Sequence, residues 1–278
     1  MVIGSGALKC ASAFGAISVL LREGIHIDMV VACSGGAFPA IWLARGGNDL
    51  SAELKRFEHG WANSFNRMAY RKLLGAFLPR LFGFDPRFGM VLDTGLNKAL
   101  RDFVGSASFE DLPLPLHLVA TDVASGEKVI LSEGKLFDAV RSTVAIPLVF
   151  PPWEIGGRLL MDGAVCDPLP VDVAVREGAD IIIAIGFEDQ LESEFHSGVS
   201  LFMQVTSVAV NHLLRSQYAF YSLAHHAEVV PILPDFGGKV GVRDLHLLPH
   251  LVQCGEQAAS VEVPYLKRLL QVAAGVPA

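Results

Sequence analysis

The sequence predicts an α/β fold of three layers, in which helices cover both faces of a mostly parallel central sheet. Short, continuous apolar runs bounded by Gly, Asp or Pro are typical of strands buried on both faces, and helix-like segments separate these runs. The chain has 278 residues, of which 51% are hydrophobic and 18% charged, so it can bury a large core. We find no linker, repeat or low-complexity stretch and therefore expect a single domain over residues 1–278.

The predicted elements alternate along the chain. The apolar runs give five strands, at Val2–Ile3, Met29–Ala32, Leu116–Ala120, Leu159–Met161 and Ile181–Ile185. The helices are expected at Leu8–Glu23, Gly36–Arg45, Ser51–Gly60, Gly95–Val104, Pro170–Glu177, Leu201–His225 and Gly255–Ala274. The last two are long and make residues 191–278 a C-terminal helical part. The first is apolar nearly all round, which is typical of a buried central helix.

Charge and cysteine content exclude several functional classes. The net charge of -7, without a Lys/Arg cluster, argues against a nucleic-acid partner, because phosphate neutralisation needs clustered cations. Cys10, Cys33, Cys166 and Cys254 lack C-x-x-C spacing, so neither a zinc site nor a disulfide framework is indicated and a reducing compartment fits. We find neither a secretory signal pattern nor a membrane-spanning apolar stretch, and we expect a cytoplasmic chain.

A first candidate for chemistry is Ser34. The segment from Met29 to Ala37 predicts a strand that runs through Ser34 into a helix, which is the pattern of a nucleophile elbow. The sharp turn needs small residues on both sides of the serine, here Ala32 and Gly36, and it directs the positive end of the helix dipole towards the hydroxyl. The string is short enough to arise by chance, so a serine in an ordinary tight turn remains an alternative.

A second candidate is the loop Gly4-Ser5-Gly6-Ala7-Leu8-Lys9, which directly follows the first strand. Its small residues can expose backbone N–H groups at a helix N-terminus, and this arrangement suits a phosphate or an oxyanion. A dinucleotide fits less well, because Lys9 stands where the third glycine of that pattern belongs. The only acid close to the second strand, Asp28, comes before that strand and not at its end. We therefore expect the loop to form an oxyanion hole.

A third candidate is Asp162, which ends an apolar strand and precedes Gly163. Taken alone, Asp-Gly is an ordinary turn dipeptide. In combination, a serine activated by a nearby carboxylate, with backbone donors from a glycine loop, would make an acyl-transfer site that needs no histidine.

Five blocks of the sequence, taken in order, resemble the patatin-like phospholipases. The blocks are Gly4–Lys9, Ala32–Gly36, Ala120–Asp122 with Ser125–Glu127, Arg141–Pro147 with Phe150–Pro152, and Asp162–Val171. They cover about residues 1–190 and are most similar to the bacterial branch, which is akin to the catalytic domain of neuropathy target esterase. The resemblance implies an acyl hydrolase for esters of phospholipids or lysophospholipids that uses neither a metal nor an organic cofactor.

The same resemblance assigns roles to individual residues. It implies a Ser-Asp dyad, with Ser34 as the nucleophile and Asp162 as the base that accepts its proton. The oxyanion hole would consist of backbone N–H groups from the loop, with Gly35 as a further donor; the loop residues are Gly4, Ser5, Gly6 and Ala7. Lys9 matches the family's Arg/Lys position and would support a phosphate or an oxyanion.

Residues 61–92 give a hint about the substrate. Five basic side chains oppose one acid in this segment, which gives it a net charge of +4, and seven aromatic residues accompany them. Such a segment suits a lid over an acyl pocket or peripheral contact with anionic lipid headgroups on the inner face of a membrane. A solvated loop whose aromatic side chains face the core is the alternative.

Other functions remain open at this point. A Ser-His acyltransferase on the same fold would need a histidine in place of Asp162, and a catalytically dead membrane-surface module would keep the elbow without activity. A Ser-His-Asp hydrolase would recruit one of the late histidines, which are His225, His226, His246 and His250. Asp93, within Asp-Thr-Gly, is expected to cap a helix, and Cys33 is expected to be buried packing.

Overall fold

The computed structural model describes residues 1–65, 85–194, 198–223 and 227–273. Its strands are β1 (Val2–Ile3), β2 (Val30–Cys33), β3 (Leu116–Asp122), β4 (Lys128–Leu131), β5 (Trp153–Ile155), β6 (Arg158–Asp162), β7 (Ile181–Ile185) and β8 (Glu228–Ile232). Its helices are α1 (Ala11–Arg22), α2 (Ala37–Ala44), α3 (Leu50–Ser64), α4 (Thr94–Val104), α5 (Leu136–Thr143), α6 (Val171–Arg176), α7 (Gly198–Leu223) and α8 (Leu248–Ala273). All five predicted strands are present, with ends that differ by at most two residues.

The strands form one mixed sheet in the order β5-β6-β3-β2-β1-β7-β8, and β4 pairs with β3. The run from β3 to β8 is parallel, with β1 at its centre. Strand β6, which contains the predicted run Leu159–Met161, is antiparallel to both β3 and β5. Gly156 and Gly157, which both have positive φ, close a two-residue hairpin between β5 and β6, and a hairpin makes its strands antiparallel.

Side chains that alternate along each strand divide the core between the two faces of the sheet. On one face, Val2, Val31 and Ala184 pack in a cluster with residues of α6. On the other face, Ile3 and Ile185 belong to a larger cluster that includes α1, α2, α3 and α8. The predicted three-layer α/β/α fold is therefore confirmed.

The helix boundaries differ from the prediction where close packing is involved. The first helix begins with a 3-10 turn at Ala7–Cys10 before α1. The last helix, α8, begins at Leu248 and continues through Gly255. A Cβ on Gly255 would lie 1.8 Å from the carbonyl oxygen of Ser12, so this glycine allows α8 to lie directly against α1. Gly255 was predicted to begin the helix, whereas it lies inside α8 at the point where α8 contacts α1.

Four short elements were not predicted: β4, β5, β8 and α5. Strand β4 is only half-buried throughout, and β8 is an edge strand that contains Pro231, so neither reads as a continuous apolar run. Within the described residues, no helix combines the length and the apolar character needed to cross a membrane.

The segment 61–92 is described only at its two ends. Trp61 lies in the last turn of α3, Phe65 follows the helix, and both pack in the aromatic part of the core. The Phe65 ring is tilted against the rings of Trp61 and Phe150, at centroid distances of 5.5 and 5.3 Å. The indole N–H of Trp61 donates a hydrogen bond to the carbonyl oxygen of Val242 at 2.7 Å. Residues 66–84, which carry most of the basic and aromatic side chains of the expected lid, lie outside the described residues.

Candidate active site

Ser34 occupies a sharp turn between β2 and α2. The chain leaves β2 at Cys33 and passes through a 3-10 turn at Ser34–Gly36 before α2 begins. Ser34 has a φ of +54°, in the left-handed region that a serine rarely adopts, and its side chain is buried. A Cβ on Gly36 would lie 2.6 Å from the carbonyl oxygen of Gly4, so only glycine fits beside the first strand. The strand, turn and helix of the expected elbow are all present.

Asp162 is the last residue of β6 and lies directly against the serine. Its Oδ2 accepts a hydrogen bond from Ser34 Oγ at 2.6 Å, and its Oδ1 accepts the Ala164 N–H at 2.9 Å. The backbone of Asp162 is fixed as well, since its carbonyl oxygen accepts a hydrogen bond from Thr121 Oγ1 at 2.9 Å and its N–H donates to Ala145 O at 3.0 Å. Strands β2 and β6 flank β3 on opposite sides, and this brings two residues 128 positions apart into contact.

The environment of Asp162 makes its carboxylate a stronger base than an ordinary aspartate. Burial raises the pKa of Asp162 from 3.8 to about 6, although hydrogen bonds from Ser34 and the Ala164 N–H act in the opposite direction. At neutral pH the group is still largely ionised and can accept a proton. The arrangement therefore combines a hydroxyl with a carboxylate within hydrogen-bond reach, and the pKa of this carboxylate is closer to neutral pH than that of an ordinary aspartate.

The glycine loop offers fewer free donors than the sequence implied. The N–H of Gly4 donates to Ile185 O at 2.9 Å, and the N–H of Ser5 donates to Pro168 O at 2.8 Å, so both are used in holding the loop against the sheet. In the part of the chain that the structure describes, the N–H groups of Gly6, Ala7 and Gly35 donate no hydrogen bond to a protein acceptor. The prediction that Gly4 and Ser5 donate to an oxyanion is thus corrected, and the candidate donors narrow to the other three.

These three donors lie close together. Ala7 has a φ of +48° and starts the 3-10 turn, so its N–H belongs to the end of a helix where backbone donors have no intrahelical partner. A Cβ on Gly35 would lie 2.7 Å from the carbonyl oxygen of Ala7, which places the elbow in contact with the loop. A Cβ on Gly6 would meet the ring of Phe187 at 2.7 Å, so the loop is fixed from its other side.

Lys9 does not offer a free charge to a ligand. Its buried ammonium group forms an ion pair with Asp189 and donates a hydrogen bond to Glu188 O at 2.9 Å. Asp189 is in turn bound by two residues of α7, through Ser207 Oγ at 2.6 Å and through paired hydrogen bonds with the side-chain amide of Asn211. The prediction that Lys9 supports a phosphate or an oxyanion is corrected, because this lysine ties the loop to α7.

A groove of about 970 Å³ begins at Gly6 and Ala7 and continues between α7 and residues 233–242. Its walls mix apolar side chains, such as Met203, Val208 and Phe236, with paired charges. Ser34 itself does not line the groove. A second cavity, of about 570 Å³, lies between α3 and α4 and contains neither the dyad nor the loop. The groove is therefore the better candidate for a substrate site.

The competing residues lie elsewhere or make other contacts. His225 and His226 are outside the described residues, and His250 bonds to Phe236 O at 3.1 Å, whereas the partner of Ser34 Oγ is Asp162. Burial raises the pKa of the Cys33 thiol well above its ordinary value, which fits the expected packing role. In the described parts of the chain, no group of three His, Cys, Asp or Glu side chains is placed to hold a metal ion.

Asp93 is at the N-terminus of α4, as expected, but it makes no side-chain cap. Its carboxylate instead pairs with the fully buried Arg141 at 3.1 Å.

Two threonines that sequence reasoning did not single out contact the dyad directly. Thr121 Oγ1 donates to the carbonyl oxygen of Asp162, and Thr143 Oγ1 accepts the N–H of Ser34 at 2.8 Å. Both stand in the sequence blocks of the family resemblance. Thr121 follows an apolar run and Thr143 ends a helix, and a hydroxyl residue at either kind of position is too common to be read as functional without the fold.

Comparisons with known proteins show which family the chain resembles. A family model for patatin-like phospholipases matches residues 1–175. An uncharacterized NTE family protein of Mycobacterium bovis is 31% identical over 227 residues, which are 81% of this chain and 58% of that protein. Neuropathy target esterase sws of Drosophila melanogaster is 30% identical over 197 residues, which are 70% of this chain and 13% of that protein. The chain thus spans little more than half the length of the mycobacterial relative.

The structure is also similar to the crystal structure of VipD from Legionella pneumophila. The TM-score is 0.51 with 14% sequence identity, and the match covers 95% of this chain and 66% of that one. At this level of identity the similarity concerns the fold alone.

Proposed function

The chain belongs to the patatin-like phospholipase family, and from this premise we propose that it is a serine acyl hydrolase that cleaves carboxylic esters of phospholipids or lysophospholipids. The observation that carries the proposal is the 2.6 Å hydrogen bond from Ser34 Oγ to the buried carboxylate of Asp162. The names of the relatives, an esterase among them, support an ester as the bond that is cleaved.

In the proposed first step, Ser34 Oγ attacks the ester carbonyl carbon while Asp162 takes the hydroxyl proton. The carbonyl oxygen becomes an oxyanion, which accepts hydrogen bonds from the backbone N–H groups of Gly6, Ala7 and Gly35. A single donor of this kind is worth roughly 10²- to 10³-fold in rate, so the loop matters as much as the base. The alcohol then leaves with the proton from Asp162, and the acyl group stays on Ser34.

In the second step, water attacks the acyl-enzyme. Asp162 accepts a proton from this water and returns it to Ser34 Oγ as the carbon–oxygen bond to the serine breaks, which releases the fatty acid.

We place the ester at the end of the groove that Gly6 and Ala7 line, with the rest of the lipid along α7. Segment 61–92 is our candidate for contact with a membrane surface, because its net charge of +4 suits anionic headgroups.

Hydrolysis of a panel of phospholipids, lysophospholipids and short p-nitrophenyl esters tests the proposal. The wild type should release fatty acid or nitrophenol, and Ser34→Ala should fall to the background rate with an unchanged circular-dichroism spectrum. Full activity of purified Ser34→Ala would refute it. An acyl group transferred to an added thiol rather than to water would favour the acyltransferase instead.

A further inference from the structure

Thr143 connects the nucleophile to the sheet. It is the last residue of α5 and is completely buried. Its Oγ1 donates a hydrogen bond to the carbonyl oxygen of Val119 in β3 and accepts the N–H of Ser34 at 2.8 Å. A hydroxyl has one proton and two acceptor positions, so it can make both bonds at once. The threonine therefore joins β3 to the elbow through a single oxygen.

The N–H of Ser34 needs a hydrogen-bond partner. Ser34 is buried and held at a φ of +54°, so its N–H can reach neither solvent nor the regular ladder of a strand. A strained conformation of this kind persists only where the surroundings hold it in place. The bond to Thr143 holds the backbone of Ser34 at its N–H, while the carbonyl oxygen of Ser34 accepts the Ala37 N–H of the following turn.

We propose that Thr143 is a positioning residue, which fixes the backbone of Ser34 so that Oγ points at Asp162. Because the Ser34 N–H is committed to Thr143, it is also withheld from the oxyanion hole, and this leaves that role to Gly6, Ala7 and Gly35. The role of Thr143 rests on the proposed function, since it acts only through the Ser34 nucleophile.

Three variants of the full chain separate positioning from packing. Thr143→Val keeps the shape and removes both hydrogen bonds, while Thr143→Ser keeps the hydroxyl and removes a methyl group. Ser142→Ala is the matched control, because Ser142 is also fully buried in α5 but donates only to Asp138 O in its own helix. The concentration of active sites is measured by titration with a fluorophosphonate, so that loss of folded protein does not count as loss of rate.

Per active site, Thr143→Val should lower kcat for a p-nitrophenyl ester by about 100-fold, because a small displacement of a reacting group has that effect. Its KM should stay close to that of the wild type. Thr143→Ser should recover most of kcat, and Ser142→Ala should match the wild type. A purely structural role would lower the number of active sites and leave kcat per site unchanged.

The acidic limb of the pH profile gives an independent readout. The hydrogen bond from Ser34 lowers the pKa of Asp162, so a serine that has turned away lets this pKa rise, and the limb should move to higher pH in Thr143→Val. Burial, with a smaller contribution from the charge of Asp162, raises the pKa of the neighbouring thiols Cys10 and Cys33, so they stay neutral and do not obscure the shift.

If Thr143→Val does not fold, Thr143→Cys replaces it, because a thiol takes the position of the hydroxyl but hydrogen-bonds only weakly. Its kcat should then lie well below that of Thr143→Ser. Equal kcat and equal pH profiles for Thr143→Ser and the non-hydroxyl variant would overturn the role of Thr143 while leaving the proposed function intact. A wild type that neither turns over esters nor reacts with the fluorophosphonate would overturn both.

Discussion

Replacing Asp162 with asparagine is expected to abolish ester hydrolysis and, at the same time, to stabilise the fold at neutral pH. Asparagine has almost the same shape, and its Oδ1 can still accept the Ala164 N–H that Asp162 accepts at 2.9 Å. It carries no charge and cannot take the proton of Ser34. The substitution therefore removes the proposed base and an ionised group from a fully buried position.

The size of the stabilisation follows from the raised pKa. Burial raises the pKa of Asp162 from 3.8 to about 6. Because one pKa unit corresponds to ~1.36 kcal/mol, this increase amounts to about 3 kcal/mol in the free energy of unfolding. A raised pKa favours the folded state when the group is protonated. The contribution is thus complete below pH 3.8, the unfolded value, and is lost as the pH rises through about 6.

The difference in unfolding free energy between Asp162→Asn and the wild type should accordingly be near zero at pH 3.5 and close to its full size at pH 8. Urea denaturation of both proteins at the two pH values measures it, and effects of other carboxylates cancel in the difference. Asp180→Asn, at an exposed position, is the control and should show no such gain.

Two outcomes would refute this reasoning. An Asp162→Asn protein that is less stable than the wild type at pH 8 would mean that the buried carboxylate is stabilised by contacts that asparagine cannot make. An Asp162→Asn protein that hydrolyses esters at the wild-type rate would mean that the base is another group.

Three further predictions follow from the same geometry. The wild-type kcat/KM should decrease as the pH is lowered, with a midpoint near the pKa of Asp162, about 6. A profile that stays flat from pH 5 to 8 would contradict Asp162 as the base. Gly35→Ala should slow hydrolysis by roughly 10²-fold, because its Cβ would lie 2.7 Å from Ala7 O, whereas Gly60→Ala, with ordinary contact at 3.6 Å, should match the wild type in the same assay. In thermal melts, Lys9→Met alone should lower the melting temperature more than Lys9→Met combined with Asp189→Asn, since the single change leaves a partly buried charge unpaired. Losses that simply add in the double variant would argue against this ion pair.

The features that the sequence predicted best depend on local patterns. The elbow at Ser34 is a strand, a serine between small residues and a helix, all within nine positions, and the structure has these three parts. The central strands were visible because burial on both faces requires a continuous apolar run. The half-buried β4 and the edge strand β8 were missed because neither is buried on both faces.

The direction of β6 could not be read from its apolar run, because parallel and antiparallel central strands use the same side chains. The better signal was the Gly156-Gly157 pair, which closes the hairpin with β5.

The errors in the site come from contacts between residues far apart in the chain. Lys9 forms an ion pair with Asp189, 180 positions away, and nothing near Lys9 in the sequence indicates that partner. The Gly4 N–H is likewise taken up by Ile185, because β1 pairs with β7. Local sequence can show that a loop exposes donors, but only the fold shows which of them are already used.

Identifying the residue that becomes acylated tests the Ser34 nucleophile most directly. Wild-type protein quenched with acid during turnover of a p-nitrophenyl ester, then digested and analysed by mass spectrometry, should carry the acyl group on Ser34. The Ser34→Ala protein treated in the same way should carry none and should release no nitrophenol above background. An acyl group found on a histidine or on Cys33, or undiminished turnover by Ser34→Ala, would contradict the Ser-Asp mechanism.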